Sequence, residues 1–362
     1  MLAAMHRRVF IAAAGAGAAW PALAATPSMV RPRPLVFPAD FGAHPATRTE
    51  WWYVTGSLRA GDRLFGFQVT FFRSATGLAA SDSRFAARQL VFAHAALSDV
   101  AGGRLRHDQR LARAGFGIAE AAEGDTLVSL RDWSMRRDGP ADAGRYTAHV
   151  RSDNAGFMLD LAFATTQPVL LQGEAGYSRK GPQPGNASFY YSQPQLRATG
   201  TLTLDGRAMP VQGRAWLDQE WGDLMLDPQA VGWDWIGMNL DDGSALMAFR
   251  HRRADGSTLY AGGSFRAAGG AVRSFASDEV RFVPGRTWTS PASRTRYPVE
   301  WAVETPTGRY RVKALFDSQE LDSRASTGSF YWEGLSELLT EPGQHAGLGY
   351  LEMTGYAAPM VL

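Results

Sequence analysis

From Glu50 onward the sequence alternates apolar and other residues with a period of two, and it does so in two matching stretches. Trp51-Trp52-Tyr53-Val54-Thr55-Gly56-Ser57-Leu58 turns through Ala60-Gly61-Asp62 into Leu64–Phe72, where Phe65, Phe67, Val69 and Phe71 share one face. That is a β-hairpin, because side chains two apart on a strand point the same way. A second opening follows at a constant offset of 182 residues. It sets Trp51 on Trp233, Tyr53 on Trp235, Leu58 on Leu240, Gly61 on Gly243, Leu64 on Leu246 and Phe67 on Phe249. Two further echoes close the copies. Ser188-Phe189-Tyr190-Tyr191 matches Ser329-Phe330-Tyr331-Trp332, and Leu196–Gly200 matches Leu351–Gly355.

Further strands of the same kind, separated by Asp205-Gly206, Asp242-Gly243 and Asp255-Gly256 turns, run to Tyr356. Helical periodicity is confined to Ala112–Ala122 and Glu333–Leu339. The fold class is therefore all-β: two tandem antiparallel barrels, each of about 150 residues, the size of one up-and-down barrel. We expect a leader over residues 1–25 and a linker over 26–34. The barrels then occupy residues 35–205 and 206–362, with the boundary at the Asp205-Gly206 turn. Trp51 and Trp233, repeated at each opening, read as plugs of the two closed ends.

The leader carries Arg7-Arg8 ahead of Val9-Phe10-Ile11, an apolar run from Ala12 to Ala19 and an Ala22-Leu23-Ala24 close. This pattern is that of a secretory signal peptide, with a twin-arginine pair. It implies a periplasmic or secreted protein beginning near Ala25 or Thr26, with no membrane span in the mature form. Without Arg7 and Arg8 the 37 basic residues become 35, equal to the 35 acidic ones, and only Lys180 and Lys313 are lysines. A neutral chain with no basic stripe excludes nucleic acid as a partner. With no cysteine, disulfides, thiolate metal sites and cysteine nucleophiles are excluded as well. The seven histidines show no metal spacing, so neither metal nor cofactor is expected. Gly-x-Ser-x-Gly, His-Glu-x-x-His and Walker motifs are missing too.

The densest chemistry lies between Asp218 and Trp235. Asp218 and Glu220 fall on one face of a strand, flanked by Trp216 and Trp221. A carboxyl group against indole rings is hard to ionise, and the same rings shelter a cation. This suits Asp218 as a general acid, with Glu220 orienting it or activating water, as alkene hydration requires. Tyr53, Trp216, Trp221, Trp235 and Tyr331 are the expected ligand-binding residues, together with Glu50. Glu50 and Asp234 also suit a structural role, each paired with an arginine at a barrel end. Glu333 and Glu352 read as polar groups of a lumen or mouth, and Arg250-His251-Arg252-Arg253 as a solvated hairpin end.

Phe37-Pro38-Ala39-Asp40-Phe41-Gly42-Ala43-His44-Pro45, Thr49–Gly56, Ala215–Gly222 and Gly232–Gly243 together resemble the AttH-like branch of the carotenoid 1,2-hydratase (hydroxyneurosporene synthase) family. The resemblance runs from about Leu35 to Tyr356 and implies two lipocalin-like barrels. It also implies cofactor-free chemistry on an isoprenoid double bond, although Leu217 and Gln219 stand where the hydratase branch carries histidines. Binding of an apolar small molecule, isoprenoid- or lipid-like, in a lumen or in the groove between barrels is thus the first expectation. A cofactor-free hydratase or isomerase is the second. Service to a membrane-associated transport partner would leave no mark in the sequence.

Overall fold

The computed structural model describes residues 30–77, 83 and 85–360, so the expected leader, residues 1–25, lies outside them. The first sheet comprises β1 (Thr49–Ala60), β2 (Arg63–Ala75), β3 (Gln89–Asp99), β4 (Arg104–Arg113), β5 (Ala119–Ala121), β6 (Leu127–Leu130) and β7 (Trp133–Asp138). It continues through β8 (Arg145–Ser152), β9 (Phe157–Ala164), β10 (Leu170–Leu171), β11 (Tyr177–Arg179), β12 (Ala187–Leu204) and β13 (Arg207–Gly222). The second half holds β14 (Gly232–Leu240), β15 (Ala245–Arg252), β16 (Thr258–Arg266), β17 (Val272–Phe275) and β18 (Arg281–Pro284). A separate hairpin of β19 (Thr287–Thr289) and β20 (Arg296–Pro298) precedes β21 (Glu300–Thr305), β22 (Gly308–Ala314), β23 (Glu320–Asp322), β24 (Phe330–Thr340) and β25 (His345–Met353).

The duplication is visible in the topology. The first sheet runs β4-β3-β2-β1-β13-β12-β9-β8-β7-β6-β5, and the second β17-β16-β15-β14-β25-β24-β22-β21-β18. Position for position these paths are the same antiparallel order, with β5 and β6 extending the first; off the paths, β10 and β11 flank β12 where β23 alone flanks β24. The first sheet curls until β4 packs on β6, a nearly closed barrel, while the second makes a half-barrel. Both are lipocalin-like and all-β. Among the described residues the only helical element is a single 3-10 turn, Ala39–Phe41.

Several expectations need correction. Ala112–Ala122 and Glu333–Leu339 are strand and loop, not helix. Glu333–Leu339 pairs with β25 on one side and its end with β22 on the other, and this ladder overrides the local periodicity. The Asp205-Gly206 turn is the tip of the β12–β13 hairpin. Because β13 then pairs with β1 along its length, the change of sheet falls between Gly222 and Gly232. Ser188–Tyr191 and Ser329–Trp332 do open equivalent strands, β12 and β24. By contrast, Leu196–Gly200 lies in β12 and Leu351 in β25, the counterpart of β13, so that echo joins unlike strands.

Alternation sorts β1 into two faces. Trp52, Val54 and Leu58 point into the first lumen with Phe65, Phe67, Val69 and Phe71, all almost completely buried. Trp52, not Trp51, is the plug, and its Nε1 donates to the Phe41 carbonyl at 3.2 Å. Trp51 and Tyr53 face outward, toward the second barrel. There, likewise, Trp233 and Trp235 point out of the barrel while Ile236, Met238 and Leu240 fill it. The barrels thus meet through the outer faces of their opening strands.

Candidate functional site

The outer faces enclose a groove of about 300 Å³. Trp51 and Trp233 lie roughly parallel across it, ring centroids 6.5 Å apart and planes inclined by 19°. Tyr53 meets Trp235 edge to face at 5.4 Å. Phe72, Phe92, Phe249, Met225 and Met360 complete an apolar lining. Gly237 allows the walls to close, since a Cβ there would lie 2.3 Å from the Trp235 ring.

Asp218 and Glu220 both face this groove, as their spacing on β13 requires. Asp218 is 3% exposed. Its Oδ1 accepts from Trp216 Nε1 at 2.7 Å and Ser192 Oγ at 2.5 Å, and its Oδ2 from Tyr190 Oη at 2.6 Å. Tyr190 Oη in turn accepts from Trp235 Nε1 at 3.1 Å. Burial raises the Asp218 pKa to about 7. The three donors pull it down and the nearby Glu220 charge adds to the rise, but desolvation dominates. A proton on Asp218 belongs on Oδ2. Oδ1 faces an indole N–H that can only donate, whereas the Tyr190 hydroxyl can rotate to accept.

Glu220 is differently placed. It accepts from Ser188 Oγ at 2.5 Å and is ion-paired with Lys180 Nζ at 2.8 Å. Lys180 is itself buried, with its ammonium over the rings of Tyr190 (4.6 Å) and Phe249 (4.5 Å). The charge of Glu220 is therefore taken up by Lys180, and water activation does not follow from its position.

Of the other expected residues, Tyr53, Trp235 and Tyr331 line the groove. Trp216 reaches it only through its bond to Asp218. Trp221 turns to the opposite face of β13 and stacks on His44 inside the first barrel, centroids 3.7 Å apart. Glu50 is fully buried at the same end. It accepts from Arg73 Nε (3.0 Å), from the His44 backbone N–H (2.8 Å) and from Gln219 Nε2 (3.0 Å), and its Oε1 meets His44 Nδ1 at 2.7 Å. Glu50 and Trp221 thus hold the barrel end and do not reach the groove. Leu217 and Gln219 share that inward face, away from Asp218. Arg250, His251 and Arg252 are buried as well, because Arg250 Nε and Arg252 Nε pair with the buried Asp234 at 2.7 and 3.0 Å.

Four ionisable residues line the groove beyond the site residues expected from the sequence: Lys180, His94, His251, expected at a solvated hairpin end, and Glu352, expected only as a polar group of a lumen or mouth. His94 Nδ1 contacts Tyr331 Oη at 2.9 Å and its Nε2 contacts Ser326 Oγ at 2.7 Å. Burial lowers its pKa to about 3, and the same cause, with Lys180 nearby, lowers His251 to about 3. Both are neutral imidazoles at ordinary pH. Glu352 receives Trp233 Nε1 at 2.9 Å, and desolvation raises it to about 7. The signal that finds Glu352 is strand register. Tyr53 pairs with Asp218, and its repeat equivalent Trp235 pairs with Glu352. Among the described residues no group of three or more His, Cys, Asp or Glu could hold a metal ion.

A family model described as AttH-like matches residues 28–356. A crystal structure from Nitrosomonas europaea that carries an AttH assignment is 48% identical, with a TM-score of 0.83. The match covers 90% of this chain and 98% of that one. Kievitone hydratase from Nectria haematococca shares the fold at 13% identity and a TM-score of 0.69, over 90% and 93% of the two chains. CghA with Sch210972 does so at 14% and 0.55, over 85% and 88%. A search of curated proteins gives no match.

Proposed function

The chain belongs to the AttH-like family, and from that premise we propose that it takes an apolar, unsaturated small molecule into the inter-barrel groove and adds water to it without a cofactor. The observation that carries this reading is Asp218, a buried carboxyl group held by Tyr190, Ser192 and Trp216, without an ion-pair partner, whose pKa burial raises to about 7 where it faces the aromatic-rich groove.

The chemistry is balanced by groups present in the groove. The alkene π pair takes the proton from Asp218 Oδ2 and becomes a C–H bond. The adjacent carbon is left as a cation, which the faces of Trp51, Trp233 and Trp235 stabilise. A water lone pair closes the C–O bond, and the proton that the water gives up passes to the groove carboxylates and restores the acid form of Asp218. His94 and His251, neutral and buried, add no competing positive charge to the groove. The name of kievitone hydratase agrees with such a reaction on this fold. We also propose that the protein is exported, on the strength of Arg7-Arg8 and the apolar run behind them.

The test is turnover of a panel of isoprenoid alkenes in heavy-oxygen water, read by mass spectrometry. Wild type should incorporate the label into one alkene class. Asp218→Asn should lower that rate roughly a hundred- to ten-thousand-fold, the range of one general acid, with ligand affinity within a few-fold. If ligand binds but no alkene in the panel takes up label, the carrier reading, which the apolar lining also supports, stands in its place.

A further inference from the structure

We propose that Glu333 and Glu352, both from the second barrel, form a carboxyl pair that shares one proton and receives the proton of the attacking water. This rests on the hydration reading above. Glu352 lines the groove and meets the reacting atoms, while Glu333 acts through it as a positioning residue.

The geometry begins with strand register. Glu333 and Glu352 are direct cross-strand partners on β24 and β25, and such partners hold their Cβ atoms about 4.5–5.5 Å apart on one face. Glu333 is 2% exposed, and neither of its oxygens has a well-formed hydrogen bond within the protein; nor has the Tyr53 hydroxyl that faces it. Among the described residues no Lys, Arg or His is ion-paired with either carboxyl. Lys180, which lines the same groove as Glu352, is committed to Glu220. The groups around the pair are the phenols of Tyr53 on β1, Tyr331 on β24 and Tyr350 on β25, with the Trp233 indole on Glu352. Asp218 and Glu220 on β13 offer the pair no cation, and their charge, when ionised, raises Glu352 further. Two carboxylates side by side in such a place cannot both ionise, so one proton stays between them.

The repeat shows what the pair replaces. Asp218 has the hydroxyl of Ser192 as its cross-strand partner on β12, whereas Glu352 has Glu333 at the equivalent place. One barrel sets a carboxyl against a donor and the other sets a carboxyl against a carboxyl. In the reaction, Asp218 loses its proton to carbon and water forms the C–O bond. The water proton then goes to the singly protonated pair, and one proton returns through the groove to Asp218. Nothing else is consumed.

The test uses the mature chain labelled with carbon-13 at glutamate side-chain carboxyls, which separates these bands from Asp218 in the infrared. Without substrate, a glutamic acid band should persist at neutral pH, and Glu333→Gln should lower the midpoint of the surviving Glu352 by at least about one pH unit. No such band in wild type, or an unmoved midpoint in a folded Glu333→Gln protein, overturns the shared proton. If Glu333→Gln does not fold, the wild-type titration decides alone. With the alkene identified above, Glu352→Gln should still exchange deuterium from the solvent into the alkene carbon while failing to add water. Addition at the wild-type rate contradicts its role. The infrared result does not depend on turnover, so failure of the pair and failure of hydration remain distinguishable.

Discussion

The lumens and the groove are built from the same strands, yet they differ in what their polar groups achieve. Inside the barrels each buried charge is neutralised at short range. Glu50 meets Arg73 and His44, Asp234 meets Arg250 and Arg252, and aliphatic and aromatic side chains fill the remaining space. At the groove the carboxyls of Asp218 and Glu352, and of Glu333 beside Glu352, have no ion-pair partner among the described residues, and all three are pushed upward by burial. The difference indicates that a lipocalin-like fold, once duplicated, can fill its lumens for stability and leave carboxyls without ion-pair partners on the outer faces, where two barrels supply the walls. It also means that lumen and groove substitutions should separate into stability effects and chemical effects.

The largest expected effect is in the lumen. Trp52→Ala should cost about 3–5 kcal/mol in denaturant unfolding, as deletion of a large buried aromatic does. Arg73→Leu should cost a similar or slightly smaller amount, about 3–5 kcal/mol, because it leaves Glu50 buried with His44 as its remaining cation. Neither should change which residues contact the ligand in protein that remains folded.

The next effect has the opposite sign. The folded Asp218 pKa lies near 7 against 3.8 for the free side chain, so the folded state binds this proton more tightly than the unfolded chain does. Stability from this group is complete below about pH 4 and is lost as pH rises through about 7, by up to about 1.4 kcal/mol per pH unit. His94 and His251, lowered to about 3, act oppositely, their contribution being lost as pH falls from 6.5 toward 3. The comparison that isolates Asp218 is therefore Asp218→Asn against wild type. Its relative stability should climb between pH 4 and pH 8, and a flat difference would place Asp218 among the ordinary carboxylates. The smallest effect should come from Trp51→Ala, about 1 kcal/mol for a half-buried stacked ring, accompanied by weaker binding of an apolar ligand.

The residues that were legible in the sequence are those whose role follows from strand alternation. Phe65 to Phe71 had to share a face, Asp218 and Glu220 had to share another, and the Trp51–Trp233 offset announced a duplication that the strand order bears out. Alternation gives two faces, however, and does not say which is the inside. Trp51 and Trp52 are equally good plugs until Trp52 is seen to lie among the lumen side chains. Trp221 looked like a neighbour of Asp218 because it is three residues away, yet an odd spacing sends it to the other side of β13. Glu352 and Glu333 were invisible as a pair because they meet only across the β24–β25 register, and Lys180 because it reaches the groove from β11 and the loop beyond it. The Asp205-Gly206 turn carries a related lesson: a strong Asp-Gly turn marks a hairpin whether or not a sheet ends there.

The measurement that tests the groove as the ligand site most directly is photo-crosslinking of the protein with a diazirine-bearing isoprenoid, followed by peptide mapping. A ligand in the groove gives adducts on the outward residues Trp51, Trp233 and Phe249, which a competing alkene protects. Adducts on Phe67, Val69 or Ile236 would put the ligand inside a barrel and contradict the groove site.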